Sequence, residues 1–246
     1  MAGPVNFSIR NLVDGGLRQL CPPSCLACGL PGDAATGRDL CPACHWALPW
    51  NRHACRRCAL PLPAGDAGSL CGACLTTSAF ALERVSAAFA YAAPFDRLLP
   101  LFKFHQSMAA GRLLSGLMAD ALGEAAGAAR DAVLVPIPLH RRRLRQRGYD
   151  QALELARPLA RRLGMPLAAE VLVRPKPTAA QSRLDKTARR RNLFGAFALN
   201  ARAAVPAHAI LIDDVMTTGA TLEAAARALR QAGAARVEAW VCARVA

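Results

Sequence analysis

From residue 85 onward, short apolar runs alternate with longer stretches of helical periodicity. The runs predict strands at 85–91, 132–137, 171–174, 194–199, 209–212 and 236–243. The run at 132–137 shows no polar alternation, as a strand buried on both faces does not. The periodic stretches predict helices at 95–105, 109–126, 149–163 and 222–231. Gly116 and Gly123 are expected to interrupt the second of these, and Pro158 lies inside the third. A basic helical turn is expected at 186–192. Strands alternating with helices imply an α/β domain, a mostly parallel sheet with helices on both faces. In such sheets ligands sit beyond the carboxyl ends of the strands.

Residues 209–223 read AILIDDVMTTGATLE. The apolar run stops at Asp213 and Asp214, and Thr217, Thr218, Gly219, Ala220 and Thr221 lead into a helix. A loop entering a helix N-terminus turns unpaired N–H groups outward at the positive end of the helix dipole, where a phosphate fits. The threonine hydroxyls add donors, and Gly219 lets the backbone approach closely. Two carboxylates repel a phosphate but accept protons from a ribose diol. The implied ligand carries a sugar diol beside a phosphate. A plain strand–turn–helix with a capping threonine is the alternative, and it leaves the acidic pair unexplained. The stretch lacks the Gly-Lys-Thr of a Walker A loop and the spaced glycines of a dinucleotide fingerprint. It resembles the PRPP-binding signature of type I phosphoribosyltransferases.

Composition adds a charge preference. The 246 residues carry 31 Lys plus Arg against 17 Asp plus Glu, so the net charge is 31 − 17 = +14. That balance favours anionic partners without choosing among them. An apolar content of 53% supports a substantial core. No apolar run is long enough for a membrane span, and residues 1–16 do not have the layout of a signal peptide. A cytoplasmic protein with reduced thiols is therefore expected.

The N-terminal part is different in kind. Residues 7–20 fit one short amphipathic helix, weakened by Asp14, Gly15 and Gly16. Of ten cysteines, eight form four CxxC pairs: Cys25/Cys28, Cys41/Cys44, Cys55/Cys58 and Cys71/Cys74. Adding 30 to each member of the first two pairs gives the last two, an internal repeat of two zinc-ribbon-like units. Each CxxC turn sets two thiolates on one side of a metal, and two turns complete a tetrahedron. Disulfides or an Fe–S cluster are alternatives; a tetrahedral thiolate set favours structural Zn²⁺. Consecutive and interleaved pairings use the same eight residues. Cys21 reads as a packed free thiol, Cys242 as core, and His45 and His53 as surface or packing residues. So short and glycine-rich a segment cannot build its own core, so metal is expected to fold it. Arg52, Arg56 and Arg57 allow it to face nucleic acid or a partner protein; holding the fold is the equal alternative. The domain boundary is placed at 80/81, giving 1–80 and 81–246.

Two basic segments complete the picture. VPIPLHRRRLRQRGYDQ at 135–151 ends an apolar strand and releases His140, Arg141, Arg142, Arg143, Arg145 and Arg147 into an expected cationic loop. Arginine pairs bidentately with phosphate oxygens, so pyrophosphate binding competes with a merely solvated charge run. Residues 174–192, RPKPTAAQSRLDKTARRRN, read as a lid over the ligand, as an ordinary surface loop, or as a DNA contact through Arg189–Arg191.

The four CxxC pairs, the Lys103-Phe104-His105 cluster, PIPLHRRR…RGYDQ, KPTAAQSRLDKTARRRN and IDDVMTTGAT together resemble the bacterial ComF family of competence-associated, phosphoribosyltransferase-like proteins. The resemblance runs from about Cys25 to the C-terminus. The family usually reads Arg-Gly-Phe-Asn-Gln where this chain has Arg147-Gly148-Tyr149-Asp150-Gln151, which adds a negative charge. The resemblance implies a PRPP-binding domain behind a zinc-ribbon head. It also implies a role in DNA uptake beside single-stranded DNA and a helicase-like ATPase. On that reading Asp213 and Asp214 are the catalytic pair, holding the diol and, through water, Mg²⁺. Residues 217–221 hold the 5′-phosphate, and Lys103, Arg141, Arg142, Arg143 and Arg147 neutralise pyrophosphate. The rival is a non-catalytic PRPP sensor or scaffold that binds DNA or the helicase.

Overall fold

The computed structural model describes residues 22–65, 69–77, 80–175 and 195–246. In chain order its elements are α1 (Pro42–Trp46), α2 (Gly72–Thr76), β1 (Arg84–Ala90), α3 (Phe95–Phe104), α4 (Met108–Ala128) and β2 (Val133–Pro136). There follow α5 (Arg141–Arg147), α6 (Gln151–Leu163), β3 (Leu172–Val173), β4 (Ala198–Leu199), β5 (His208–Met216), α7 (Ala220–Gln231) and β6 (Arg236–Arg244). The expected helix at 7–20, Cys21, the turn at 186–192 and Arg189–Arg191 lie outside the described residues.

β1, β6, β5 and β2 form one parallel sheet in that order. Strand alternation feeds two cores. Ile210, Ile212, Trp240 and Cys242 pack with α3, α4 and α6 on one face. Ala209, Leu211, Val237, Ala239 and Val241 pack with α7 on the other. Both central strands therefore carry apolar side chains toward both faces, as strands covered twice require.

α4 is one unbroken helix, contrary to the expected interruption. Ser107 Oγ caps it by accepting from Ala110 N at 3.2 Å. Each interior glycine costs about 1 kcal/mol. Burial of Leu113, Leu114, Leu117, Met118 and Leu122 outweighs that, at roughly 1.5–3 kcal/mol per side chain.

Among the described residues, the expected strands at 171–174 and 194–199 appear as the short β3 and β4, which pair antiparallel outside the main sheet. The free edge of β2 is already taken: Leu134 N donates to Pro166 O and Ala168 N to Leu134 O, both at 2.9 Å. At the opposite edge, β1 is covered by the cysteine-rich part. Ala90 N donates to Pro49 O (2.8 Å), Asn51 N to Ala88 O (3.0 Å) and Val85 N to Arg57 O (3.0 Å). An edge strand left bare is a template for aggregation. The N-terminal part thus closes the sheet as well as leading it. Its Cys25, Ala27, Leu40, Cys41 and Leu48 share the core beneath α4.

Candidate functional site

β5 does not stop where its apolar run stops. It continues through both acids to Met216, because β6 pairs with it all the way: Asp213 faces Val241 and Val215 faces Ala243. On the other side, β2 leaves after Pro136 faces Ile212. Asp213 and Asp214 therefore sit at the carboxyl end of the sheet, just past the end of β2. That is where a parallel sheet offers a ligand crevice.

The two acids differ. Asp214 is buried, with Oδ2 2.9 Å from Lys103 Nζ. Asp213 is half-buried, and its Oδ1 accepts from Asp214 N at 2.8 Å. Burial, and then the Asp214 charge, push the Asp213 carboxyl up to about 7, against the pull of the Asp214 N–H and Lys103. Lys103 stands one residue before the end of α3. That turn is held by the Tyr149 hydroxyl, which donates to Phe102 O, with the two rings 5.5 Å apart.

Beyond the acids, Thr217 and Thr218 are exposed, and Ala220 and Thr221 are half-buried. Gly219 caps α7 at φ 76°, where a Cβ would lie 2.5 Å from Met216 Cε. Only glycine satisfies both conditions. Ala220 N points at Thr218 Oγ1, 3.4 Å away. Gly219 itself has no side chain to cap α7, so the threonines on either side of it flank the helix N-terminus.

The expected cationic loop is a helix, α5. His140 Nδ1 accepts from Arg142 N at 3.1 Å to start it, and Gly148 at φ 81° ends it. Arg141, Arg142 and Arg145 are exposed; Arg143 and Arg147 are half-buried. Arg147 lies 5.7 Å over the Phe104 ring. Asp150 ties the start of α6 to the segment that follows β2. Its Oδ1 accepts from Leu153 N at 3.2 Å, and its Oδ2 from Leu139 N at 2.9 Å. Burial pushes its carboxyl up.

Arg174 was not singled out by the sequence. It is buried and lies 5.2 Å over the Phe197 ring. Burial, and then the charge of Arg143, lower its pKa; Asp213 and Asp150 oppose them. Its charge is thus felt together with those of Arg143, Asp213 and Asp150. An arginine ending an apolar run was its one sequence signal.

Cys25, Cys28, Cys41 and Cys44 form one thiolate group, and Cys55, Cys58, Cys71 and Cys74 another, all ligand atoms of each lying within 4.8 Å. The consecutive pairing is the one adopted. Cys28 Sγ and Cys41 Sγ are 3.8 Å apart, and Cys58 Sγ and Cys71 Sγ 3.6 Å. A tetrahedron with Zn–S of about 2.3 Å has sulfur edges of about 3.8 Å. The donors and their spacing fit structural zinc. Arg57 donates to Cys74 O at 3.2 Å and Thr77 O at 3.1 Å, so it braces the second group; Arg52 and Arg56 remain exposed. His45 packs edge-on against Trp50 at 5.4 Å. Cys242 is buried core.

Between this second group and α7 lies a cavity of about 550 Å³, lined by Arg57, Cys58, Phe80, Phe197, Thr218 and Gly219 among others. Neither acid lines it. Among the described residues, no helix is long and apolar enough to cross a membrane.

A double zinc ribbon domain model matches residues 16–75, and a phosphoribosyl transferase domain model matches residues 150–246. The chain is 33% identical over 220 residues to DNA utilization protein YhgH of Escherichia coli O157:H7, covering 86% of each chain. It is 33% identical over 159 residues to Competence protein F of Haemophilus influenzae, covering 63% of this chain and 69% of that one. Likeness at that level over most of both chains fixes the kinship that the motifs suggested: the chain belongs to the ComF family, with a double zinc ribbon and a phosphoribosyltransferase-like domain.

Proposed function

We propose that this protein binds PRPP at the carboxyl end of β5 and works in DNA uptake as a phosphoribosyltransferase. The observation that carries the reading is the order of groups on β5 and α7. Two carboxylates at the end of the sheet are followed by two exposed threonines, Thr217 and Thr218, at a helix N-terminus. The relatives' names, DNA utilization protein and Competence protein F, supply the biological setting. The reading keeps the domain boundary at 80/81 and a reducing, cytoplasmic setting for the thiolates.

In this reading residues 217–221 hold the 5′-phosphate with hydroxyls and backbone N–H groups. Asp213 and Asp214 accept from the ribose diol. Lys103 aligns Asp214, and with Arg141, Arg142, Arg143 and Arg147 it meets the charge of pyrophosphate. Loss of pyrophosphate from C1 leaves an oxocarbenium-like centre, so positioning and charge neutralisation are the protein's main contribution. The acidic oxygens fit Mg²⁺, which keeps its waters and binds through one or two carboxylates plus phosphate. When bound it would offset pyrophosphate charge.

The test is pyrophosphate release from PRPP, screened against nucleobases, ammonia and single-stranded DNA at several salt concentrations. Acceptor-dependent release establishes transfer. PRPP binding without release, with DNA binding that falls steeply with salt, marks a sensor or scaffold instead.

A further inference from the structure

Arg244 ends β6 at the place where three parts of the molecule meet. Its Nε donates to Cys58 O at 3.0 Å, its Nη1 to Met216 O at 3.3 Å, and Nη1 also reaches Val245 O. Cys58 belongs to the second thiolate group. Met216 is the last residue of β5, directly before Thr217. Its side chain fills the space a Cβ on Gly219 would occupy, only 2.5 Å from that position. One guanidinium therefore joins the backbone of a residue in the thiolate group to the residue that supports the threonine loop.

The residue type matters. A guanidinium holds its donors in a rigid planar fork, so it serves two carbonyls in fixed relation. A lysine ammonium is a point charge on a flexible stem and does not fix that relation. Met216 O also accepts from Val245 N at 3.0 Å, so the last peptide of β5 is gripped twice. That peptide sets the direction in which the chain leaves the sheet toward Gly219. The first thiolate group is anchored elsewhere: Arg38, between its two CxxC turns, pairs with Asp120 on α4 at 2.7 Å.

We propose that Arg244 is a positioning residue that couples the threonine loop to the second thiolate group, so that metal held by Cys55, Cys58, Cys71 and Cys74 sets the loop's affinity for a sugar phosphate. This rests on the reading of 217–221 as a phosphate loop. Metal in the second group fixes the Cys58 turn, the turn fixes Arg244, and Arg244 fixes Met216 beneath Gly219. Coupling of this kind is reciprocal, so a sugar phosphate on the loop also strengthens the hold of the second group on its metal.

The experiment is hydrogen exchange on the full chain, followed at residues 215–223 and at Val245, with PRPP titrations alongside. Variants are Arg244→Lys, Cys74→Ser and, as the control, Arg38→Lys, which weakens the first group's anchor on α4 and leaves both thiolate sets intact. Arg244→Lys keeps the charge and the aliphatic stem, so it is the variant most able to stay folded. Its zinc content and far-UV circular dichroism confirm that state. The expected result is exchange about tenfold faster at 215–223 in Arg244→Lys, a rise at 215–223 in Cys74→Ser that exceeds the rise in α4, PRPP affinity about tenfold weaker in both, and a wild-type-like loop in Arg38→Lys. Wild-type exchange at 215–223 in a folded, zinc-loaded Arg244→Lys protein overturns the coupling, whatever Cys74→Ser does. If the loop responds as expected while the wild type ignores PRPP, the coupling stands and the sugar-phosphate reading falls.

Discussion

Lys103 Nζ lies 2.9 Å from Asp214 Oδ2, with both side chains largely out of solvent. This pair fastens the end of α3 to the strand that carries the acids. Removing Lys103 alone strands a buried carboxylate next to Asp213. Lys103→Met is expected to lose about 1–3 kcal/mol, between the values for exposed and fully buried pairs. Lys103→Met with Asp214→Asn should recover part of that loss. Urea unfolding of the wild type, both single variants and the double variant measures the coupling; strict additivity would show that the pair does nothing.

The acidic pair also sets a pH dependence. Burial and Asp214 raise Asp213 to about 7 in the folded chain, while an unfolded aspartate titrates near its ordinary value. Between about pH 4 and pH 7 the folded form therefore holds a proton that the unfolded form has released. This contribution to stability is complete below the unfolded pKa and is lost as pH rises through about 7. Asp213→Asn should remove that component, so the stability difference between variant and wild type should change steadily across the window. A difference independent of pH would mean that Asp213 titrates normally. Since a metal or diol needs the ionised form, ligand affinity should rise with pH over the same range.

Asp150 caps α6 and at the same time holds the segment that follows β2. The structure gives it two separate acceptor oxygens for Leu153 N and Leu139 N. Asparagine has one such oxygen. Asp150→Asn should retain the helix cap and lose the tie to Leu139, destabilising the fold by about 1 kcal/mol at neutral pH. Thermal unfolding would show it as a small fall in Tm. A rise in Tm would mean that the buried negative charge outweighs its hydrogen bonds.

The local pieces of this molecule were legible in the chain because each rests on local chemistry. CxxC spacing alone brings Cys25 and Cys28 to one side of a metal, and the pattern of 209–223 alone predicts a strand, a threonine loop and a helix. What the sequence hid depends on distant partners. β5 runs through Asp213 and Asp214 because β6 accompanies it, which no property of the acids announces. The covering of β1 by residues 49–57, the Lys103–Asp214 pair and the burial of Arg174 all join segments far apart in the chain. The arginine run at 141–147 reads as a loop because its charge masks good helix propensity between a capping His140 and Gly148.

Protein purified without added metal should contain close to two zinc ions per chain. Each group offers four thiolates at tetrahedral spacing. Cys28→Ser or Cys58→Ser should lower zinc content and destabilise the whole chain, because residues 49–57 cover β1 and Cys25 and Cys41 share the main core. Predominant iron in elemental analysis, or disulfides that persist under mild reduction, would contradict the assignment.

The measurement closest to the central claim is a calorimetric titration of PRPP with Mg²⁺ into wild type, Asp214→Asn and Thr218→Val. Thr218→Val keeps volume and removes one hydroxyl from the loop. Asp214→Asn keeps size and removes the charge that Lys103 and the ribose share. Hydrogen bonds to charged groups are worth roughly 1.5–3 kcal/mol, so each variant should bind about tenfold or more weakly while remaining folded. Wild-type affinity in both folded variants would contradict the account, because PRPP would then bind elsewhere and the order of groups along β5 and α7 would have another purpose.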